Sequence, residues 1–142
     1  MRILALDVGD KTIGVAVSDG LGITAQGVTT IKRESLKKDM TRLREYIEEY
    51  GAGLIVCGLP KSMDGSLGPQ AEKVLAFADK LKGELGLPVE LVDERLTTAL
   101  VQKMLISGDV SRKRRREVVD MLAAQVILQG YLDRKAREKK EG

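Results

Sequence analysis

The sequence has no histidine and no tryptophan, and it holds one cysteine, one phenylalanine and three tyrosines. The missing histidine excludes Ser-His and Cys-His nucleophile pairs, imidazole general bases and His-ligated zinc sites. Any chemistry must therefore rest on carboxylates, lysines, arginines, hydroxyls or a bound metal ion. Because aromatic side chains are scarce, stacking on nucleobases cannot be a major source of binding energy.

Long hydrophobic runs and paired cysteines are missing as well. Apolar runs stay well below the ~20 residues of a membrane span, so we expect no membrane partner, and no signal peptide is expected at the start of the chain. The lone Cys57 cannot form an intramolecular disulfide, which favours a cytoplasmic protein. Its place in the segment LIVCG predicts a buried strand residue rather than a nucleophile. The 142 residues are expected to form one domain, residues 1–142, with a single core.

The net charge of +3 conceals an uneven distribution. Residues 111–142 hold ten Lys and Arg against five Asp and Glu, a local charge of +5, whereas the remainder holds fourteen against sixteen, a local charge of −2. A basic end on a nearly neutral body favours a polyanionic partner such as nucleic acid. A solvated helix with a charged tail would have the same composition, so this feature alone does not decide between the two.

Apolar periodicity predicts five strands, with helices after the third, fourth and fifth. This order predicts an α/β domain with a mixed five-stranded sheet flanked by helices on both faces, as in the ribonuclease H-like fold. The predicted strands are residues 3–7, 13–18, 22–31, 54–57 and 89–92, and residues 58–68 are a predicted loop. The predicted helices are 36–50 (ended by Gly51 and Gly53), one from Pro69, one capped by Thr97 or Thr98 and running to about 106, and one capped by Ser111. The inner stripe of the last helix is expected to be Val119, Leu122, Ala123, Val126, Ile127, Gly130 and Tyr131.

Acids stand at the ends of three of these elements. Asp7 closes the first strand beside a glycine turn, Asp93 or Glu94 closes the fifth, and Asp120 lies near the start of the last helix, on the shoulder of its apolar stripe. Convergent buried carboxylates repel one another and need a cation. Oxygen ligands without His or Cys select Mg²⁺ or Mn²⁺, and such ions support phosphodiester hydrolysis without imidazole.

Each acid also has another explanation when it is taken alone. Asp10 and Asp19 are predicted to be turn residues. Asp120 could pair with a basic residue one turn earlier in its helix, and Glu94 could cap the helix that follows it. Asp7 is the hardest to explain otherwise, because an unpaired acid at the end of a buried strand carries a desolvation cost.

Four segments carry a family resemblance: LALDVGDKTIGVAVSD, VCGLPKSMDGSLGPQAEKVLAFADKL, DERLTT and VVDMLAAQVILQGYL. Together they cover nearly the whole chain and resemble the YqgF (RuvX) proteins, which are described as pre-16S rRNA nucleases and as relatives of Holliday junction resolvases. The resemblance implies a ribonuclease H-like fold, divalent-metal endonuclease activity and a cytoplasmic bacterial protein. It also implies a nucleic-acid partner, either pre-rRNA within ribosomal assembly intermediates or branched DNA.

Position by position, the resemblance implies that Asp7, Glu94 and Asp120 are the catalytic acids and the ligands of Mg²⁺ or Mn²⁺. Asp93 remains an alternative to Glu94, since neighbouring strand residues face opposite sides, but the longer side chain favours Glu94. Related resolvases carry a further acid one helical turn after the last-helix acid, where this chain has Ala123, so the number of metal ions stays open. The residues expected to neutralise phosphates are Lys11, Arg95, Arg112, Lys113, Arg114, Arg115 and Arg116.

Two other classes of function compete with a nuclease. A nucleotide-binding module related to actin-like ATPases and sugar kinases also begins with a strand, an Asp and a glycine turn, but two such lobes are needed to enclose ATP. A catalytically silent RNA-binding assembly factor would use the basic end alone. The sequence does not decide between RNA and junction DNA as the substrate, or between a monomer and a dimer.

Overall fold

The computed structural model describes residues 1–61, 64–94 and 112–141, with side chains described from 118 to 140 in the last range. The strands of the described chain are β1 (Arg2–Val8), β2 (Thr12–Ser18), β3 (Ala25–Lys32), β4 (Ala52–Leu59) and β5 (Val89–Asp93), and its helices are α1 (Leu36–Tyr50), α2 (Pro69–Leu85) and α3 (Arg112–Glu141). The strands form one sheet in the order β3-β2-β1-β4-β5. β1 to β3 pair antiparallel, whereas β4 is parallel to β1 and β5 is parallel to β4. The predicted mixed five-stranded sheet is confirmed.

Local sequence signals set the ends of the first two helices. Ser35 has extended backbone and its side chain accepts a hydrogen bond from the backbone N–H of Lys38, which caps α1. Pro69 occupies the first turn of α2, where its missing N–H costs nothing. Gly51 and Gly86 end α1 and α2 in the left-handed region, with φ of 66° and 67°.

The two faces of the sheet carry different layers. Residues of β1 alternate between them: Leu4 and Leu6 pack with α1 and α2, whereas Ala5 packs with α3. Asp7 follows the alternation of Ala5, so its side chain belongs to the face covered by α3. The same alternation places the next residue, Val8, in the core beneath α1 and α2.

The sheet face that α3 covers carries small residues where the helix crosses it. A Cβ added to Gly14 would lie 1.9 Å from the backbone oxygen of Asp120, and one added to Gly27 would lie 2.8 Å from Cγ of Met121. A Cβ added to Gly58 would lie 2.5 Å from Cδ1 of Ile127. These glycines of β2, β3 and β4 therefore allow α3 to approach the sheet closely.

This close approach corrects the predicted inner stripe of the last helix. Gly130 is exposed, and Val119, Leu122 and Val126 are only half-buried. The prediction placed the stripe too far round the helix, because periodicity alone cannot tell which apolar side will meet the small residues of a sheet. The side that packs against the sheet and its core consists of Ala124, Ile127, Leu128, Tyr131 and Leu132.

Other boundaries also differ from the sequence predictions. β4 continues to Leu59, so the predicted loop from residue 58 starts two residues too early, and β3 begins at Ala25 rather than at residue 22. Cys57 is fully buried, as predicted. The proposed caps Thr97, Thr98 and Ser111, and the short helix to about 106, lie outside the described residues. None of the helices in the described ranges is long and apolar enough to span a membrane.

Candidate active site

The turn after Asp7 is held by backbone and side-chain hydrogen bonds. The N–H of Gly9 donates to the carbonyl of Thr12 at 2.8 Å, which closes the turn between β1 and β2. Arg33 donates from Nη1 to the carbonyl of Gly9 at 2.8 Å and from Nε to Asp39 at 3.1 Å. Because Asp39 is 1% exposed, this ion pair is shielded from water, and it fixes the turn against the start of α1.

Glu94 meets Asp7 from the end of β5. The backbone N–H of Glu94 donates to the carbonyl of Leu59 at 3.1 Å, which extends the pairing of β5 with β4 by one residue. Its carboxyl group then lies over Gly58, where an added Cβ would be 2.6 Å from Oε2, and it shares a hydrogen bond with the carboxyl group of Asp7. The structure thus brings Glu94 to Asp7 by a direct side-chain contact.

The paired carboxyl groups hold protons at unusually high pH. Burial raises the pKa of Asp7 from 3.8 to about 6, and the nearby charge of Asp120 adds to the rise. Burial raises the pKa of Glu94 from 4.5 to about 8, and the charges of Asp7 and Asp93 add to it. A hydrogen bond between two carboxyl groups requires a proton on one of them, so Asp7 and Glu94 share a proton in the neutral pH range.

Asp120 approaches the pair from α3. Its backbone oxygen lies against Gly14, which is the register partner of Asp7 in β1 and β2. Its Oδ2 accepts a hydrogen bond of 2.5 Å from Oγ1 of Thr12, the short length typical of a charge-assisted contact. Asp120 is half-buried, and its charge acts on Asp7 without a direct hydrogen bond to it.

The donor set fits a hard divalent cation. Asp7, Glu94 and Asp120 offer only oxygen atoms, which Mg²⁺ and Mn²⁺ prefer, and a cation would replace the proton shared by the first two. Within the part of the chain that the structure describes, no three acidic or sulfur side chains form a ready-made metal cage. Asp7 and Glu94 are paired with each other, while Asp120 is held beside them by Thr12.

The residues predicted to bind phosphates are described only in part. Lys11 is exposed in the turn between β1 and β2, four residues after Asp7. Arg95 lies outside the described residues. The run from Arg112 to Arg116 forms the start of α3, and its side chains lie outside the described set.

Sequence reasoning missed the residues that support the acids. Gly14 is the register partner of Asp7, and Thr12 lies two residues before it on the same face of β2. This two-residue spacing was a signal available in the sequence. Gly58 stands inside a strand, where glycine often marks a close approach by another group. Cys57, next to it, has a pKa raised to about 12 by burial and by the charge of Glu94, so its thiol is inert at neutral pH.

The chain is similar to curated bacterial proteins along most of its length. It is 59% identical over 134 residues to a protein of Moorella thermoacetica, covering 94% of this chain and 96% of the relative. It is 56% identical over 137 residues to a protein of Desulforamulus reducens, covering 96% and 100%. Both relatives are described as "Putative pre-16S rRNA nuclease".

Solved structures of low sequence identity share the fold. The RuvC resolvase of Thermus thermophilus in complex with a Holliday junction substrate superposes with a TM-score of 0.57 at 14% identity, covering 96% of both chains. The fowlpox virus Holliday junction resolvase gives a TM-score of 0.57 at 14% identity, covering 94% of this chain and 98% of that one. These likenesses confirm the predicted ribonuclease H-like fold. A family model described as "RuvX: Holliday junction resolvase" matches residues 1–134, and the chain belongs to the RuvX family.

Proposed function

We propose that this protein is an endonuclease that hydrolyses phosphodiester bonds at Asp7, Glu94 and Asp120 and processes the 5′ end of pre-16S rRNA in the cytoplasm. The observation that carries the proposal is the convergence of three acids from three separate elements: the carboxyl group of Glu94 contacts that of Asp7, and Asp120 lies beside them. A structural role would not require two acids to be desolvated together, since that arrangement costs stability. The pre-rRNA substrate is supported by the description of the curated relatives.

The chain's own residues have distinct parts in this chemistry. Asp7, Glu94 and Asp120 would hold Mg²⁺ or Mn²⁺, which supplies the positive charge and the activated water that imidazole supplies in other hydrolases. The proton shared by Asp7 and Glu94 must leave before both can act as anionic ligands. Thr12 orients Asp120 through its hydroxyl group, and the side chain of Ile127 and the carboxyl group of Glu94 both lie over Gly58.

A DNA nuclease of the resolvase type is the second candidate, because the fold is that of RuvC. The position that carries a further acid in related resolvases is Ala123 here. It is 2% exposed and packs with Val119, Leu122 and Val126. A ligand is therefore missing at this position, which favours the rRNA substrate over the junction.

A cleavage assay tests the proposal directly. Wild-type protein is incubated with a pre-16S rRNA fragment extended at its 5′ end, beside a four-way DNA junction, with Mg²⁺ or Mn²⁺. We expect cleavage of the RNA, and a loss of about a hundredfold or more in Asp7→Asn, as for other groups that act on transition-state charge. Manganese binding measured by calorimetry should weaken in the same variant.

The matched control is Asp79→Asn, which removes one exposed carboxylate from α2 and should leave cleavage unchanged. Equal cleavage by Asp7→Asn and wild type would contradict the proposed site. Junction cutting without RNA cutting would favour the resolvase alternative. RNA binding without cleavage under either metal, unchanged in Asp7→Asn, would instead indicate a non-catalytic assembly factor.

A further inference from the structure

We propose that a cavity between α1 and α2 binds a nucleoside phosphate, supplied by an unpaired nucleotide of the substrate strand. The part of the proposal that names the nucleic-acid substrate as the source of this nucleotide rests on the proposed nuclease function. The cavity has a volume of about 330 Å³, at the small end of the ~300–1,000 Å³ range of ligand sites. The lining of this α1–α2 cavity includes Val8, Asp10, Arg33, Leu36, Lys73, Phe77 and Lys80.

The cavity opens behind the candidate active site, on the other face of the same strand end. Val8 lines it and directly follows Asp7, and successive strand residues point to opposite faces. Gln70 of α2 donates to the carbonyl of Val8 at 3.4 Å and also lines the cavity. A strand that crosses this edge of the sheet would therefore have one nucleotide near Asp7 and a neighbour beside the cavity.

Three cationic side chains meet at the cavity. The guanidinium group of Arg33 lies 4.9 Å from the ring centroid of Phe77, and its Nη2 has no hydrogen-bond partner among the described residues. Lys80 is exposed and has no ion pair within that same set. Lys73 pairs with Asp10 at 3.1 Å, but both side chains are 61% exposed, so the pair is worth little and can open. Of the three cations, Arg33 is paired with the buried Asp39 and Lys73 with the exposed Asp10, so Lys80 is the one left without a carboxylate partner among the described residues.

The remaining walls are apolar, which selects the class of ligand. Leu36 is 41% exposed and Ala76 is exposed as well, and behind them Val8 and Phe77, each 6% exposed, form the floor of the cavity. An inorganic phosphate would leave this surface in contact with water. A nucleotide matches both the apolar wall and the cationic side chains, because its base covers the wall while its phosphate pairs with Lys73 and Lys80. Polyglutamate would match the cations but has no apolar group to cover Leu36 and Ala76.

The chain provides a single-residue probe of this site. Phe77 is its only phenylalanine, so protein with ring-labelled phenylalanine gives one aromatic resonance from the cavity wall. We expect this resonance to shift when wild-type protein is titrated with short single-stranded RNA, and also with adenosine 5′-monophosphate. In Lys73→Gln/Lys80→Gln, RNA binding measured by anisotropy should weaken, and the slope of log affinity against log salt should fall by about 0.7 to 1.4, since each phosphate contact on a single strand contributes ~0.7.

Two further variants separate the cavity from general charge. Lys82→Gln removes an exposed lysine from the opposite side of α2 and should leave affinity and salt slope nearly unchanged. Ala76→Leu occupies part of the cavity without changing charge or adding a second phenylalanine, and it should weaken the response of Phe77 to the mononucleotide. Equal weakening by Lys82→Gln and by the double variant would overturn the proposal, as would a Phe77 resonance that stays unchanged with both saturating RNA and saturating mononucleotide. An equal shift on adding a polyglutamate peptide would also overturn it.

The titrations with RNA and with the mononucleotide, together with a cleavage assay, show whether the cavity or the proposed function is at fault when a result is negative. A Phe77 response to the mononucleotide but not to RNA would support the cavity and overturn the substrate strand as its source. RNA cleavage without any Phe77 response would contradict the cavity alone. A Phe77 response without cleavage under either metal would contradict the proposed function and leave the cavity supported.

Discussion

At the scale of single residues, the carboxyl group of Glu94 lies in space that a side chain at position 58 would fill. An added Cβ would be 2.6 Å from Oε2 of Glu94 and 2.9 Å from its Cδ, closer than non-bonded heavy atoms can approach. The absent side chain of Gly58 is therefore what lets Glu94 turn back toward Asp7. Gly58 is a positioning residue, and it acts through Glu94.

Gly58→Ala should displace the Glu94 carboxyl group from Asp7. We expect RNA cleavage to fall at least about tenfold, and manganese affinity to fall with it, as when a group that orients a metal ligand is lost. Overpacking should lower the free energy of unfolding by about 1–3 kcal/mol. Cleavage assays, calorimetry and urea denaturation measure the three effects.

Gly83→Ala is the control for this substitution, because a Cβ at that helical position meets nothing within 4 Å. It should raise stability by about 0.8–1 kcal/mol through helix propensity and leave cleavage unchanged. Wild-type manganese affinity in Gly58→Ala would show that Glu94 does not depend on the space at position 58.

At the scale of secondary-structure elements, the contact of α3 with β2 sets the position of Asp120. Gly14→Ala would place a Cβ 1.9 Å from the Asp120 backbone oxygen and 2.3 Å from its carbonyl carbon. Backbone atoms cannot rotate away, so the whole helix must move. We expect loss of RNA cleavage and a destabilisation of about 3 kcal/mol, at the upper end for overpacking, measured by assay and by urea denaturation.

The helix itself offers the matched control. Gly130→Ala changes an exposed glycine of α3 that has open space around it, so it should preserve cleavage and slightly raise stability. If Gly14→Ala retained wild-type cleavage and stability, then α3 would not be held against β2 as the structure has it.

These elements also show how far the sequence alone could reach. The bounds of α1 were predictable because its apolar spacing and Gly51 are local signals. Residue chemistry predicted Asp7, Asp93 or Glu94, and Asp120 as candidate acids, and the resemblance and side-chain length favoured Glu94; their catalytic role stays a prediction. The inner side of α3 was predicted wrongly, because the meaning of Gly14 and Gly27 depends on which helix crosses them. That information lies in the tertiary packing and not in the period of the chain.

At the scale of the whole molecule, the carboxylate pair makes stability depend on pH in a defined direction. The pKa of Asp7 is raised from 3.8 to about 6 and that of Glu94 from 4.5 to about 8. Between the unfolded and the folded pKa of each group, the folded protein binds more protons than the unfolded chain. Stability is therefore highest near the unfolded pKa values and is lost as pH rises toward the folded ones.

We expect the free energy of unfolding of the metal-free protein to fall between about pH 4 and about pH 8, because the folded pKa values of both carboxyl groups lie above the unfolded ones. Urea denaturation in the presence of a chelator measures this fall. Added Mg²⁺ or Mn²⁺ should reverse it, and more strongly at the alkaline end, because the metal binds ionised carboxylates and stabilises the folded state by mass action. Asp7→Asn should flatten the pH dependence and abolish most of the metal effect. A stability that stayed constant or rose over this range without metal would show that Asp7 and Glu94 are not held together as a desolvated pair.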